Sequence, residues 1–274
     1  MKTFIVPTDF SETSKNAALY AAGALSRVVD AQVILYNVYY SSENDDDENN
    51  PHSKKSIMMA ALQNLKAEIS DIAPALNITT IAERENNESF LDALDRLARH
   101  QSADMVIMGI TGATKLEQIF IGSNTLDFVE KGTVPVMIVP PDAKYTTIKN
   151  VLFTSDFKNV EKSTPSKPLQ FILSLFNPVV HVVNVDSEHY VELTEEYKAE
   201  RAKLDEMLQG FEHEFYFMRL FDFKEAIDVF TQDYKIDLII NVPRKHSFLA
   251  GLYKTNYTKK LAYHTHVPLI AIHE

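Results

Sequence analysis

The sequence predicts an α/β protein made of two tandem doubly wound parallel-sheet domains. Three observations carry this. Short apolar runs alternate with helix-period segments, the order that gives a parallel sheet with helices on both faces. The plan of the first half recurs in the second. A glycine-bearing loop joins an apolar strand to a helix in the first half, the kind of place where such sheets bind ligands.

In order along the chain, Phe4-Ile5-Val6 reads as a strand closed by Pro7. Thr8-Asp9-Phe10-Ser11 is a turn, with Ser11 as the cap of a helix running to about Val29. Ala18, Ala21, Ala22, Leu25 and Val29 fall on one face of that helix. Val33 to Tyr39 is the second strand. Ser41 to Pro51, with its acidic run, reads as a solvated loop without function. Ser56 to Ile72 is helical, Ile78 to Ala82 a strand, and Glu88 to Arg99 a helix with Phe90, Leu91, Leu94, Leu97 and Ala98 inward. Met105 to Met108 is the fourth strand, Thr125 to Lys131 a helix, and Val136 to Val139 the last strand of the half.

The repeat is explicit. Val6 to Phe10 matches Phe153 to Phe157, and Tyr36-Asn37-Val38 matches Val183-Asn184-Val185, both at an offset of 147. Further on the offset is 133: Asp104 matches Asp237, Thr125 matches Thr258, and Val134-Pro135 matches Val267-Pro268. The second copy is thus 14 residues shorter between its second and fourth strands. Domains are expected at 1–142 and 147–274, joined by a linker at Pro140 to Lys144. Pro165 and Pro168 should delay the first helix of the second copy to about Leu169.

Composition narrows the function. Hydrophobic residues make up 45% of the 274, normal for a globular chain. The net charge of −11 and the lack of any strongly basic stretch argue against nucleic-acid binding. With no cysteine, disulfides, thiol catalysis and cysteine metal sites are excluded. No apolar run has the length of a membrane span, and the N-terminus is too soon interrupted by Asp9 for a signal peptide, so a cytoplasmic protein is expected.

The loop Gly109 to Asn124 has the spacing Gly-x2-Gly-x9-Gly-Ser, through Gly112, Gly122 and Ser123. That is neither a dinucleotide fingerprint nor a Walker loop. Glycine admits close approach of backbone N–H groups to an anion, and the helix start offers unpaired donors. The alternative is a plain connecting turn. If the strands are ordered 3-2-1-4-5, Pro7-Thr8-Asp9 and Gly109 end neighbouring strands at the switch point, and Val38 ends a strand beside them.

This set of residues resembles the universal stress protein family, in its ATP-binding branch, and the resemblance covers the chain as two copies. It implies a Rossmann-like sheet of order 3-2-1-4-5 in each domain, and ATP in the first, with Mg2+ as a companion. Adenine and ribose would lie against Pro7, Thr8, Asp9, Val38 and Met108. The phosphates would lie against Gly109, Gly112, Gly122, Ser123, Asn124 and Thr125. Asp9 reads either as a turn residue or as a ribose, base or Mg2+ contact. Lys115 either neutralises phosphate or is a plain loop lysine.

In the second copy the glycines at 109, 112 and 122 become Val242, Lys245 and Thr255, Ser123 becomes Asn256, and Pro243 removes an N–H. ATP is therefore not expected there. Arg244, Lys245, Lys254, Lys259 and Lys260 read as a solvated basic surface or as the site of another anion. His246, His264 and His266 make a weak metal set, and no catalytic grouping stands out.

The resemblance further implies a stress-response nucleotide-binding regulator, not a metabolic enzyme. The rivals are a slow ATPase or adenylate-transfer enzyme, and an interaction module that binds no nucleotide. The last strands, Val136 to Val139 and Leu269 to Ile272, should pair within the chain, with a homodimer allowed.

Overall fold

The computed structural model describes residues 1–41, 50, 52–85, 88–110, 123–185, 195–218, 223–243 and 267–273. The chain divides into two compact units, Met1–Thr146 and Thr147–Glu274.

The first unit runs β1 (Lys2–Pro7), α1 (Glu12–Leu25), β2 (Ala31–Tyr39), α2 (Lys54–Ile72), β3 (Asn77–Arg84), α3 (Phe90–His100), β4 (Met105–Gly109), α4 (Ser123–Lys131) and β5 (Val136–Val139). Its strands lie in the order β3-β2-β1-β4-β5, each neighbouring pair parallel. Phe4 pairs with both Val33 and Met105, which fixes the register at the centre. Consecutive residues Phe4, Ile5 and Val6 are all fully buried, as a parallel strand covered on both faces requires. The chain steps one way from β1 to β3 and the other way from β4 to β5. Right-handed crossovers therefore put α1 and α2 on one face and α3 and α4 on the other, and these are the helix pairs in contact.

Serines start three helices. Ser11, Ser53 and Ser89 each hold extended backbone and accept a hydrogen bond from the amide of Ser14, Ser56 or Asp92. Two starts differ from expectation: α2 begins at Lys54 and α3 at Phe90. Phe90 and Leu91 are half-buried, and Ala93 takes the inward position beside Leu94. The end of α1 is also corrected. It stops at Leu25, and Val29 is 74% exposed instead of inward, because Asp30 turns left-handed (φ 59°) to enter β2.

The second unit runs β6 (Asn150–Thr154), α5 (Val160–Ser163), α6 (Ser166–Phe176), β7 (Val179–Val185), α7 (Glu195–Met207), β8 (His213–Met218), α8 (Phe223–Asp233), β9 (Leu238–Asn241) and β10 (Leu269–Ala271). Its parallel order, β10-β9-β6-β7-β8, is the same 3-2-1-4-5 plan. The prolines act differently from expectation. Pro165 caps α6, and Pro168 sits in its first turn, so α6 starts at Ser166 and not near Leu169. First-turn N–H groups have no intrahelical partner, so proline costs nothing there.

The copies match at their backbone bends. Phe10, Asp30 and Ser102 have left-handed φ values of 64°, 59° and 47°; Phe157, Asn177 and Lys235, at the repeat offsets, have 49°, 48° and 51°. Asp104 accepts the amide of Thr3, and Asp237 accepts those of Lys149 and Asn150, each tying the fourth strand's entry to the first strand.

The expected linker is part of the first unit. Asn16 on α1 donates to the carbonyls of Pro140 and Ala143, both at 3.0 Å. Tyr145 packs edge-on against Tyr20 of α1, at 5.6 Å between ring centres. Gly23 makes room for it: a Cβ there would stand 2.6 Å from the Tyr145 ring.

Candidate functional site

At the carboxyl ends of β1, β2 and β4 an open cavity of about 290 Å³ lies at the switch point of the first sheet. Ligand cavities run from roughly 300 Å³ upward. Its lining includes Pro7, Thr8 and Asp9 after β1, Asn37, Val38 and Tyr40 at β2, Phe90 of α3, Met108 and Gly109 of β4, and Asn124 and Thr125 of α4. The first turn of α1 adds Ser11, Thr13 and Ser14.

Of the eleven residues expected from the sequence, the structure brings Pro7, Thr8, Asp9, Val38, Met108, Gly109, Asn124 and Thr125 around this one cavity. Gly112 and Gly122 lie outside the described residues, as does Lys115. Ser123 is placed as the first residue of α4, with its side chain outside the description. The basic cluster from Arg244 to Lys260 and the histidines 246, 264 and 266 also lie outside it.

The turn after β1 is built by its own side chains. Thr8 Oγ1 accepts the amide of Phe10 at 3.0 Å, and Asp9 Oδ1 accepts both the amide (3.0 Å) and the hydroxyl (2.6 Å) of Ser11. These bonds hold Phe10 in its left-handed conformation and aim the start of α1 at the cavity. Ser155 and Asp156 make the same bonds to the amides of Phe157 and Lys158. Asp9 is thus a turn residue as well as a lining residue. Burial pushes its carboxyl up, but the Ser11 hydroxyl and amide and the Ser14 hydroxyl outweigh it and hold the group below the ordinary 3.8.

Hydroxyls connect along the rim. Ser14 Oγ lies 3.0 Å from the Ser11 carbonyl and 3.0 Å from the Thr8 hydroxyl. Thr125 Oγ1 donates to the Gly109 carbonyl at 3.0 Å, which ties the first turn of α4 to the end of β4. Asn37 Nδ2 donates to the Thr8 carbonyl at 2.8 Å, and Asn184 repeats this bond to Ser155. The buried Asn37 Oδ1 has no hydrogen-bond partner among the described residues.

Gly109 has a packing role that the sequence reading did not assign to it. A Cβ there would lie 2.4 Å from the carbonyl oxygen of Thr13 and 2.8 Å from its carbon. The glycine lets α1 close onto the end of β4, and so brings the α1 hydroxyls into the cavity. In the second unit the matching Val242 is accommodated, 6% exposed.

Electrostatically, the described lining suits an anion. The starts of α1 and α4 contribute to it, and a helix start carries partial positive charge and N–H groups without intrahelical partners. The described lining holds no lysine or arginine. No group of three or more His, Asp or Glu among the described residues could hold a metal ion.

Sequence reasoning missed Ser11, Thr13, Ser14, Asn37, Tyr40 and Phe90 as lining residues. The run of hydroxyl residues opening the helix after β1 is a signal for Ser11, Thr13 and Ser14, and the Asn repeated at 37 and 184 is one for Asn37; Tyr40 and Phe90 carry none.

Comparison with known proteins bears on the same region. The universal stress protein family matches residues 1–140. A universal stress protein of Methanocaldococcus jannaschii is 25% identical over 157 residues, covering 50% of this chain and 94% of that one. Among solved structures, a universal stress protein of Archaeoglobus fulgidus has a TM-score of 0.69 at 17% identity, over 99% of this chain and 96% of its own. A functionally unknown protein of Pseudomonas aeruginosa PAO1 has a TM-score of 0.65 at 12% identity, over 100% of this chain and 92% of its own. At these identities the two structures show a shared fold.

Proposed function

Since this chain belongs to the universal stress protein family, we propose that it binds ATP in its first unit and acts as a stress-response nucleotide-binding regulator. The observation that carries the proposal is the cavity at the switch point, lined by three strand ends and by the starts of α1, α3 and α4. Adenine and ribose fit the side formed by Pro7, Thr8, Asp9, Val38 and Met108. The phosphates fit toward Gly109, Asn124 and Thr125, with Gly112, Gly122 and Ser123 completing that end. Mg2+ would bridge phosphate oxygens there. The second unit, with Val242 and Pro243 where the loop begins, takes no ATP in this reading. The last strands β5 and β10, each an apolar run ending its unit's strand order, are proposed to pair within the chain.

The experiment is calorimetric titration of the whole chain with ATP and Mg2+, alongside mass spectrometry of nucleotide released on denaturation. Saturable binding removed by Gly112→Val, with the melting temperature unchanged, supports the site. No binding by the wild type, or full binding by the variant, refutes it.

A further inference from the structure

We propose that Tyr40 is a specificity-determining residue of this cavity, a ring platform on which a purine base stacks. The proposal rests on the ATP reading above and adds what selects the base.

The lining has a polar and an apolar part. Hydroxyls and helix starts come from α1 and α4, through Ser11, Thr13, Ser14, Asn124 and Thr125. Apolar groups come from the ends of β2 and β4 and from α3, through Val38, Tyr40, Met108 and Phe90. A nucleotide has the same two parts. An anion belongs with the N–H and hydroxyl donors, which leaves the apolar part for the base.

Tyr40 is the exposed member of that apolar part. The preceding Tyr39 closes β2 at 4% exposure and belongs to the core, whereas Tyr40 is 72% exposed at the cavity. Its ring packs on no other ring among the described residues, unlike Tyr20 or Tyr216. A large aromatic face left open at a cavity lined for an anion has the form of a stacking surface, since every base has a π-face to place on it.

The segment that carries the other ring of the lining, Phe90, is firm. Phe90 opens α3, and Arg96 of that helix donates to Glu88 at 3.0 Å and also to Glu83 of β3. These bonds brace the segment that carries Phe90. The two copies separate the rings. Phe90 recurs as Phe223 at the 133 offset, so a phenylalanine opens this helix in both units. Tyr40 becomes Ser187 at the 147 offset, in the half whose loop has lost its glycines. Tyr36 and Tyr39 are also replaced at that offset, by Val183 and Asp186, but both are buried in the first unit; Tyr40 is the exposed ring of the three.

The test is titration of the whole chain and of Tyr40→Ala and Tyr40→Phe with ATP, UTP and inorganic tripolyphosphate, with thermal melting alongside. Loss of a base stack weakens binding roughly 5- to 100-fold. Tyr40→Ala is expected to weaken ATP within that range and UTP less, because a purine stacks over more area. Tyr40→Phe stays within about twofold, since the ring face does the work. The affinity for tripolyphosphate is expected not to change in either variant, nor is the melting temperature. Wild-type affinity of Tyr40→Ala for ATP overturns the platform and leaves the ATP site standing. An equal loss for ATP and tripolyphosphate also overturns it, by showing a disturbed phosphate end. A wild type that binds no nucleotide removes the ATP reading, and this proposal with it.

Discussion

Gly109→Ala is the sharpest test of why a glycine ends β4. The added Cβ would stand 2.4 Å from the Thr13 carbonyl oxygen, where ordinary contact begins at 3.4 Å. The obstacle is backbone, so no side chain can swing aside. The first turn of α1 must retreat by about 1 Å, the difference between those distances. Overpacking of this kind costs about 1–3 kcal/mol, while reduced freedom of the unfolded chain returns about 0.4–1 kcal/mol. The net is about 1–2 kcal/mol of destabilisation, or roughly 2–8 °C in Tm. The same retreat withdraws Ser11, Thr13 and Ser14 from the cavity, so ATP affinity should fall roughly tenfold, the worth of one hydrogen bond to a charged group. Differential scanning calorimetry with and without ATP measures both effects. An unchanged Tm would refute the packing account of Gly109. A lowered Tm with unchanged ATP affinity would refute the link from α1 position to the cavity.

Further outcomes are expected. Titration should give one ATP per chain; two would show that the second unit binds despite Val242 and Pro243. Gly23→Ala presses a Cβ against Tyr145. Limited proteolysis should then cut faster between residues 140 and 146, and an unchanged rate would dissociate that segment from α1. His181 is buried among Tyr216, Tyr234 and Phe230 and contacts Asn150, and burial holds its pKa below 6.5 against the pull of Glu214. A lowered histidine means that the unfolded chain binds the proton first. The neutral ring therefore contributes stability that is complete above about pH 6.5 and declines as pH falls below it. Denaturant melts from pH 7.5 to 5 should show that decline, and His181→Gln should flatten it; an equal slope in the variant would assign the effect elsewhere.

Much of the fold was legible because the repeat is written in residues with defined backbone tasks. Asp104 and Asp237, paired by offset alone, accept the matching amides of Thr3 and Asn150 in the first strand of their unit. The Thr8-Asp9-Phe10 turn and its copy carry the same two side-chain bonds. What stayed hidden depended on contacts distant in sequence. Nothing local shows that Gly109 faces the backbone of Thr13, or that Gly23 is a recess for Tyr145. The end of α1 was misjudged because Val29 continues the apolar period, while the left-handed Asp30 decides the path. Periodicity also cannot tell a proline that breaks a helix from one seated in its first turn, as with Pro168. At the site, strand ends were readable from apolar runs and punctuation. The hydroxyl rim was not, since serine and threonine at a helix start already have a capping explanation.

The seating of residues 140–145 on α1 hangs that segment on two side chains of the helix, Tyr20 through the Tyr145 ring and Asn16 through the Pro140 and Ala143 carbonyls. Both belong to a helix of 14 residues, a rod about 21 Å long. Asn16 lies two residues from Ser14, where that rod opens at the cavity rim. The segment that closes the first unit and the rim of its cavity thus share one end of one rod, and a ligand gripping the rim would steady the seat of that segment.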